Sequence, residues 1–146
     1  MNIRIANLLD IEKILLLEER TFKFYSKSRP DWIDREKRPF NYEFMKNIIE
    51  SNNGKIFVAE EDNKIVGHCI MNIKEIKNHH IFHDMTNIEI ENICIDEQYR
   101  KNGIGKKLFE EVKIFAKENG IKNLSLNNIC FTEGSKSAGE QKQPWI

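Results

Sequence analysis

The feature that most constrains the fold is a strand, a turn, a helix and a second strand that follow one another between residues 87 and 129. The helix is predicted over residues 103–119, because apolar residues recur at helical spacing and Gly120 ends the pattern. Two strands joined through a helix lie parallel in one sheet, and the helix covers one face of it. The second strand is predicted from its apolar residues Leu124, Leu126 and Ile129.

The residues before this unit predict an antiparallel meander and two further helices. Asn7 is predicted to cap the first helix. The apolar stripe of that helix would comprise Leu8, Ile11, Leu15 and Phe22. In chain order the predicted elements are a strand at 2–6, helices at 7–23 and 41–51, and strands at 55–60, 64–72 and 87–95. The predicted fold class is therefore α/β (α+β), with a mixed, mostly antiparallel sheet of about five strands and three helices.

Length and charge limit the class of protein. The 146 residues suffice for one domain with its own hydrophobic core. Lys plus Arg and Asp plus Glu both number 23, so the formal net charge is zero. Proteins that coat nucleic acid normally carry a basic excess, so no nucleic-acid partner is predicted. No apolar run approaches the ~20 residues of a membrane span, so no membrane partner is predicted either.

The cysteines indicate a reducing compartment. They stand at positions 69, 94 and 130, and an odd, widely spaced set gives neither a disulfide framework nor a zinc pattern. Charged residues interrupt the N-terminal stretch from Arg4 onward, so no secretory signal is expected and the predicted localisation is cytoplasmic.

One group of possible metal ligands is close in sequence: His79, His80, His83 and Asp84. A polar turn is the simpler interpretation, and no metal site is predicted.

The fourth predicted strand contains a change of phase. Ile88 and Ile90 share one face, and Ile93 and Ile95 share one face, but the two pairs are out of register by one residue. A residue inserted near position 91 or 92 would realign them, which is what a β-bulge does. A bulge also leaves backbone N–H groups without ladder partners. The alternative is a strand buried on both faces, since residues 93–95 are continuously apolar.

The turn that follows, which we call the joint (residues 96–107), contains Arg100-Lys101-Asn102-Gly103-Ile104-Gly105. Glycine lets a chain pass close to a ligand, and the first amides of a helix are donors at the positive end of its dipole, so the segment suits a phosphate. It is not a P-loop, because no Gly-Lys-Ser/Thr follows. It is not a dinucleotide fingerprint either, because Leu108 takes the place of the third glycine.

The charge changes sign at the joint. Residues 84–97 include five acidic and no basic side chains, whereas residues 100–107 include four basic and no acidic ones. A basic side suits phosphates and an acidic side suits a protonated amine. The alternative is an ordinary solvated surface.

Arg100, Gly103 and Gly105 after an apolar strand resemble the acyl-CoA signature of the GNAT superfamily of N-acetyltransferases, which reads Arg or Gln, two residues, Gly, one residue, Gly or Ala. Residues 96–99 resemble its usual entry, and residues 3–14 resemble the first strand and helix of the family. The resemblance covers about residues 1–128. It implies a GNAT-like fold and an enzyme that moves an acetyl group from acetyl-CoA, its co-substrate, to a primary amine of a small molecule or peptide by direct attack.

The resemblance also implies residue roles. Backbone amides of residues 102–106 would hold the CoA pyrophosphate, helped by Arg100 and Lys101. The N–H of Ile93 would hold the thioester carbonyl, an oxyanion-type contact, and the side chains of Ile93 and Ile95 would line the pantetheine arm. The predicted cofactor-binding residues are Ile93, Cys94, Ile95, Arg100, Lys101, Asn102, Gly103, Ile104, Gly105 and Lys106.

Transfer to an amine also requires a base, because a lysine-like amine has a pKa of ~10.4. Family members place a catalytic or orienting carboxylate two or four residues before the position of Ile93, which here are Glu91 and Glu89. Both remain candidates for the catalytic base. The alternative for either is a surface or cross-strand ion pair.

The C-terminal region departs from the family. A tyrosine that protonates the leaving thiolate is expected after strand five, but no tyrosine follows Tyr99 and an ungapped continuation gives Ala138-Gly139 there. We expect a GNAT-like domain at 1–131, an atypical polar tail at 132–146 and no C-terminal hairpin. The bare edge of strand five would then favour a homodimer. The alternative function is a catalytically weak or inactive module of the same fold that binds CoA or a protein partner.

Overall fold

The computed structural model describes residues 1–31, 34, 36 and 40–126. Its strands are β1 (Asn2–Ile5), β2 (Gly54–Glu61), β3 (Lys64–Ile76), β4 (Met85–Ile95) and β5 (Asn123–Leu126). Its helices are α1 (Ile11–Ser28), α2 (Tyr42–Glu50) and α3 (Ile104–Glu118). The predicted domain boundary at residue 131, the tail at 132–146, the extension of the last strand to Ile129 and the expected lack of a C-terminal hairpin lie outside the described residues.

The five strands form one sheet in the order β1-β2-β3-β4-β5. The pairs from β1 to β4 are antiparallel, and β4 and β5 are parallel on either side of the α3 crossover. The predicted fold class is therefore confirmed. No helix among the described residues has both the length and the apolar character that a membrane span requires.

The turn between β2 and β3 explains the register of the central hairpin. Asp62 and Asn63 both have positive φ, at 51° and 61°. Two consecutive left-handed residues match the twist of the flanking strands in a two-residue hairpin, and aspartate and asparagine tolerate that conformation. The turn thus fixes the first pairs, Glu61 with Lys64 and Glu60 with Ile65, and a shift after Glu60 displaces the rest of the hairpin by one residue.

The sheet has a hydrophobic core on each face. Leu108 and Val112 of α3 are fully buried in the first, with residues of β3 and β4. Ile14 of α1 and Met45 of α2 are fully buried in the second. The sheet is thus covered on both faces, and α3 is separated from the other two helices by the sheet.

Helix α1 differs from the prediction. It runs to Ser28, and its buried apolar face consists of Ile11, Ile14 and Leu17. Leu8, which the predicted stripe included, is 40% exposed. The reason is that Asn7 caps a short 3-10 helix at Leu8–Asp10, so the α-helical phase begins only at Ile11.

A charged cluster fixes the N-terminal strand to the start of the helix. Arg4 donates to both carboxylate oxygens of Asp10, at 2.7 and 2.9 Å, and to Glu60 of β2 at 3.1 Å. Asp10 also accepts the backbone N–H of Asn7 at 2.8 Å, which completes a capping box. The bond from Arg4 lowers the pKa of Asp10 below its ordinary value, even though burial opposes this.

Asp10→Asn should lower the free energy of unfolding at neutral pH by about 1.5–3 kcal/mol, because it removes hydrogen bonds to a charged group. A lowered folded-state pKa adds stability above the ordinary aspartate pKa, and this stability is lost as the pH falls through the lowered value. The deficit should therefore vanish in acid, as urea unfolding at several pH values would measure. Glu12→Gln, in the same turn but exposed, is the control. An equal deficit at all pH values would contradict this account.

Candidate functional site

Strand β4 contains the predicted bulge. Against β3, Ile90 pairs with Met71 but Asn92 pairs with Ile70, so Glu91 is the extra residue. Beyond the bulge the side chains return to phase, and one core contains Ile88, Ile90, Ile93 and Ile95. The bulge, rather than a strand buried on both faces, is confirmed.

On its other side β4 pairs with β5. The parallel pairs run from Asn87 opposite Asn123 to Ile90 opposite Leu126, the last described residue of β5. Residues 91–95 of β4 lead directly into the joint, so the bulged end of the strand and the helix N-terminus follow one another in the chain.

The N-terminus of α3 is built as an anion site would be. Gly103 is the N-cap residue with φ of +76°, and no side chain caps the helix. The backbone bond from the N–H of Lys107 to the carbonyl of Gly103, at 3.0 Å, closes the first turn. A Cβ built on Gly103 would meet no atom within 4 Å, so this end of the helix faces open space. The helix dipole adds partial positive charge there.

The basic residues of the joint divide into two groups. Lys101 and Lys106 are exposed beside the helix N-terminus. Arg100 instead turns inward, where its Nε donates to the carbonyl of Ile95 at 3.3 Å. Its guanidinium lies 5.5 Å from the ring of Phe24 in α1. Arg100 thus ties the end of β4 to α1, while the lysines supply charge at the surface.

The closest approach of the helix to the sheet depends on Gly67 of β3. A Cβ at this position would lie 3.0 Å from Ile95 Cδ1 and 3.2 Å from Ile104 Cγ2. A side chain at this position would require Ile95 or Ile104 to move by a few tenths of an ångström. The absence of a side chain therefore allows the first turn of α3 to pack closely on the sheet.

Glu89 and Glu91, the candidate bases, lie in one polar network. Lys74 of β3 forms an ion pair with Glu89, which raises the pKa of Lys74, and Glu91 adds a smaller electrostatic contribution. Glu91 Oε1 accepts a hydrogen bond from Asn72 Nδ2 at 2.8 Å. Glu89 is thus ion-paired with Lys74, while Glu91 is hydrogen-bonded to Asn72 and interacts with Lys74 at longer range. Sequence alone missed both partners, because neither is near the glutamates in the chain.

Asp96, another residue of the acidic stretch, is not a surface charge. It is buried, its Oδ2 lies 3.2 Å from Arg20 and 3.7 Å from Lys64, and its Oδ1 accepts the N–H of Gln98 at 3.1 Å. Part of the acidic stretch is therefore neutralised by neighbouring cations. The sign change at the joint is sharper in the sequence than at the protein surface.

The segment after β3 forms the polar turn that the sequence suggested. His79 Nδ1 accepts the backbone N–H groups of Ile81 and Phe82, at 3.0 and 3.2 Å. Asp84 accepts the N–H of Asn78 at 3.0 Å. These side chains stabilise the turn itself.

A different set of polar side chains, which the sequence analysis missed, is buried between α1 and the sheet. Glu18 of α1, His68 of β3 and Cys94 of β4 have side-chain ligand atoms within 4.8 Å of one another. Cys94 therefore directs its side chain to the face opposite Ile93 and Ile95. In the sequence, only the helical spacing of Glu18 after Ile11 and Ile14 indicated that its side chain faces the core.

Comparison with known proteins identifies related sequences and folds. Residues 17–135 match the sequence pattern described as the acetyltransferase (GNAT) family. No curated protein sequence gives a significant match.

Solved structures with a similar fold share little sequence with this chain. A tetramutant of the BH1408 protein from Bacillus halodurans is 20% identical with a TM-score of 0.77, covering 88% of this chain and 83% of that one. The aminoglycoside acetyltransferase meta-AAC0020 from an uncultured soil metagenomic sample is 22% identical with a TM-score of 0.65, covering 88% and 77%. A predicted acetyltransferase with acetyl-CoA from Clostridium acetobutylicum is 18% identical with a TM-score of 0.67, covering 87% and 80%.

Proposed function

The chain belongs to the GNAT family of acetyltransferases, and we propose that it transfers an acetyl group from acetyl-CoA to a primary amine. The observation that carries the proposal is the joint, where an uncapped helix N-terminus with lysines beside it meets the bulged strand β4. The acetyl-CoA complex and the aminoglycoside acetyltransferase among the similar structures agree with this donor and with an amine acceptor.

The N-terminus of α3 would bind the pyrophosphate of the donor. The backbone amides of residues 102–106 would donate to phosphate oxygens, since Gly103 leaves the approach open. Lys101 and Lys106 would add attraction from the rim. Arg100 would act by holding the end of β4 in place, because its side chain contacts the carbonyl of Ile95.

The end of β4 beyond the bulge would bind the thioester end. Residues 91–95 lead from the bulge directly into the joint, so the pantetheine arm would lie along them toward the N-terminus of α3. The backbone of Ile93, two residues after the bulge, would polarise the thioester carbonyl. Cys94 would contribute through its backbone only, because its side chain is buried against α1.

The reaction would proceed by direct attack. The glutamate first takes one proton from the ammonium group and releases it to solvent. The neutral amine then adds to the thioester carbonyl, the C–N bond forms, the C–S bond breaks, and CoA leaves as a thiolate. The second proton of the nitrogen passes to the glutamate, and solvent protonates the thiolate. We assign the base to Glu91, because taking up a proton at Glu89 would disrupt its ion pair with Lys74.

The donor site can be tested with two glycines at opposite ends of α3. Gly103 and Gly120 both have positive φ, and a Cβ at either would meet nothing within 4 Å. Asparagine tolerates this conformation, so both Gly→Asn variants should fold. Gly103→Asn should weaken CoA binding by roughly tenfold or more, about 1.4 kcal/mol, whereas Gly120→Asn should bind like the wild type. Titration calorimetry measures both, and equal binding by the two variants would refute the site.

The base can be tested by single Glu→Gln changes at positions 91 and 89. Glu91→Gln should lower kcat by roughly 10²–10⁴-fold without changing CoA affinity, and the loss should shrink as the pH approaches the pKa of the amine, ~10.4. Glu89→Gln should lower kcat by a smaller factor than Glu91→Gln does. Thiol release with a panel of primary amines measures both rates. Full activity in the double variant would exclude both residues as the base.

The second candidate function is a module that binds CoA without efficient turnover. The ion pair of Glu89 with Lys74 favours it, because it occupies one of the two candidate bases. In that case calorimetry would show CoA binding while no amine of the panel releases thiol above the uncatalysed rate.

We also propose that the chain forms a homodimer through β5. Leu124 and Leu126 of β5 are 36% and 37% exposed, and β5 ends the described sheet. Leu126→Pro should produce a monomer by removing a ladder donor, whereas Ile114→Ser, at an exposed apolar position of α3, should not. Light scattering measures the molar mass, and so the oligomeric state, of the wild type and of both variants. A wild-type monomer at high micromolar concentration would rule out the dimer.

A further inference from the structure

We propose that Glu18, His68 and Cys94 form a binding site for a zinc-like divalent metal ion, separate from the acetyl-transfer chemistry. The three side chains come from α1, β3 and β4, and they meet on the sheet face opposite α3. All three residues are buried, and His68 is fully inaccessible. They are the only group of three possible ligands among the residues that the structure describes.

The unsatisfied polar atoms are the observation that points to an ion. Neither ring nitrogen of His68 makes a hydrogen bond in the described structure, and neither does Glu18 Oε1. His68 Nε2 and Glu18 Oε1 nevertheless lie 2.8 Å apart, so they face each other without the alignment of a hydrogen bond. His68 Nδ1 is buried without a hydrogen bond, and the Nε2–Oε1 pair is a close contact without hydrogen-bond alignment, so both cost free energy that a shared ligand would lower.

The donor set fits zinc chemically. Thiolate, imidazole and carboxylate are its usual ligands, and three protein ligands leave a fourth tetrahedral position for a water molecule. Tetrahedral zinc would hold such atoms ~3.3–3.7 Å apart, given its usual bond lengths. The observed separations, from 2.8 Å up to 4.8 Å, bracket that distance. Side-chain rotations would therefore suffice to bring all three atoms onto one ion.

Charge and the neighbouring hydroxyl agree with this assignment. A divalent ion with one carboxylate and one thiolate has no net charge, which suits a buried site. Cys94 Sγ now donates to Thr21 Oγ1 at 3.2 Å. When the thiol loses its proton to the solvent on metal binding, the Thr21 hydroxyl can rotate and donate to the thiolate, as outer partners of metal ligands commonly do.

The consequence would be a cross-link between α1 and the two central strands. Arg20 of α1 already pairs with Asp96 at the end of β4. The ion would add a second connection a few residues away, beside the bulged strand. Its role would be structural, because the site is closed to substrate.

Cobalt(II) is the probe for the test, because a thiolate ligand gives it a charge-transfer absorption that carboxylates and imidazoles do not. The full-length protein is treated with a chelator, dialysed and titrated with cobalt(II). The wild type should develop this absorption with one equivalent, zinc should abolish it, and zinc should raise the melting temperature. A wild type without the absorption would overturn the proposal and leave Glu18 and His68 as a simple ion pair.

The two described cysteines provide the matched variants, since Cys69 and Cys94 are both buried but only Cys94 belongs to the cluster. Cys69→Ser should retain the absorption and Cys94→Ser should lose it. Absorption that persists in Cys94→Ser would assign the ion to another cysteine and refute the site. Glu18→Gln, which keeps the shape of the side chain, should weaken cobalt binding by more than the roughly 10–100-fold that the loss of an outer partner costs. Unchanged affinity in that variant would also contradict the proposal.

Discussion

One inserted residue in β4 determines how the rest of the molecule is arranged. Glu91 lets Ile88 and Ile90 face the same core as Ile93 and Ile95, although the two pairs are out of phase in the sequence. Without it, one pair would face the side covered by α1 and α2, and the core under α3 would lose half of its β4 side chains. The residues beyond the insertion lead directly into the joint, so the residue that completes the core also directs the chain toward the N-terminus of α3.

The joint is held by different interactions on the two faces of the sheet. On the α3 face, contacts are apolar and close, and they depend on the absence of a side chain at Gly67. On the α1 face they are polar, since Arg100 reaches back toward Phe24 and Asp96 pairs with Arg20. The helix N-terminus is thus held by packing from one side and by charge from the other, while its amide end remains open.

Local patterns predicted most of the fold, because they depend on neighbours in the chain. The turn at Asp62-Asn63, the cap at Asn7 and the phase change in β4 can each be recognised within a few residues. The start of α1 was harder to predict from the sequence, because the 3-10 helix at Leu8–Asp10 shifts the helical phase. The partners of the glutamates and the grouping of Glu18 with His68 could not be predicted, because they depend on which strands pair and in which register.

The pairing of the first strand has a consequence for the order in which the chain can fold. Residues of β1 pair with β2, and Arg4 reaches Glu60 across a separation of 56 residues. On a ribosome β1 is synthesised first, yet its partner strand emerges only after both α1 and α2 have been made. The hairpin of β2 and β3 can form locally, whereas β1 must wait and add to it by closing a long loop. Strand β1 is therefore the first described strand to be synthesised, but it cannot be the first to pair within the sheet.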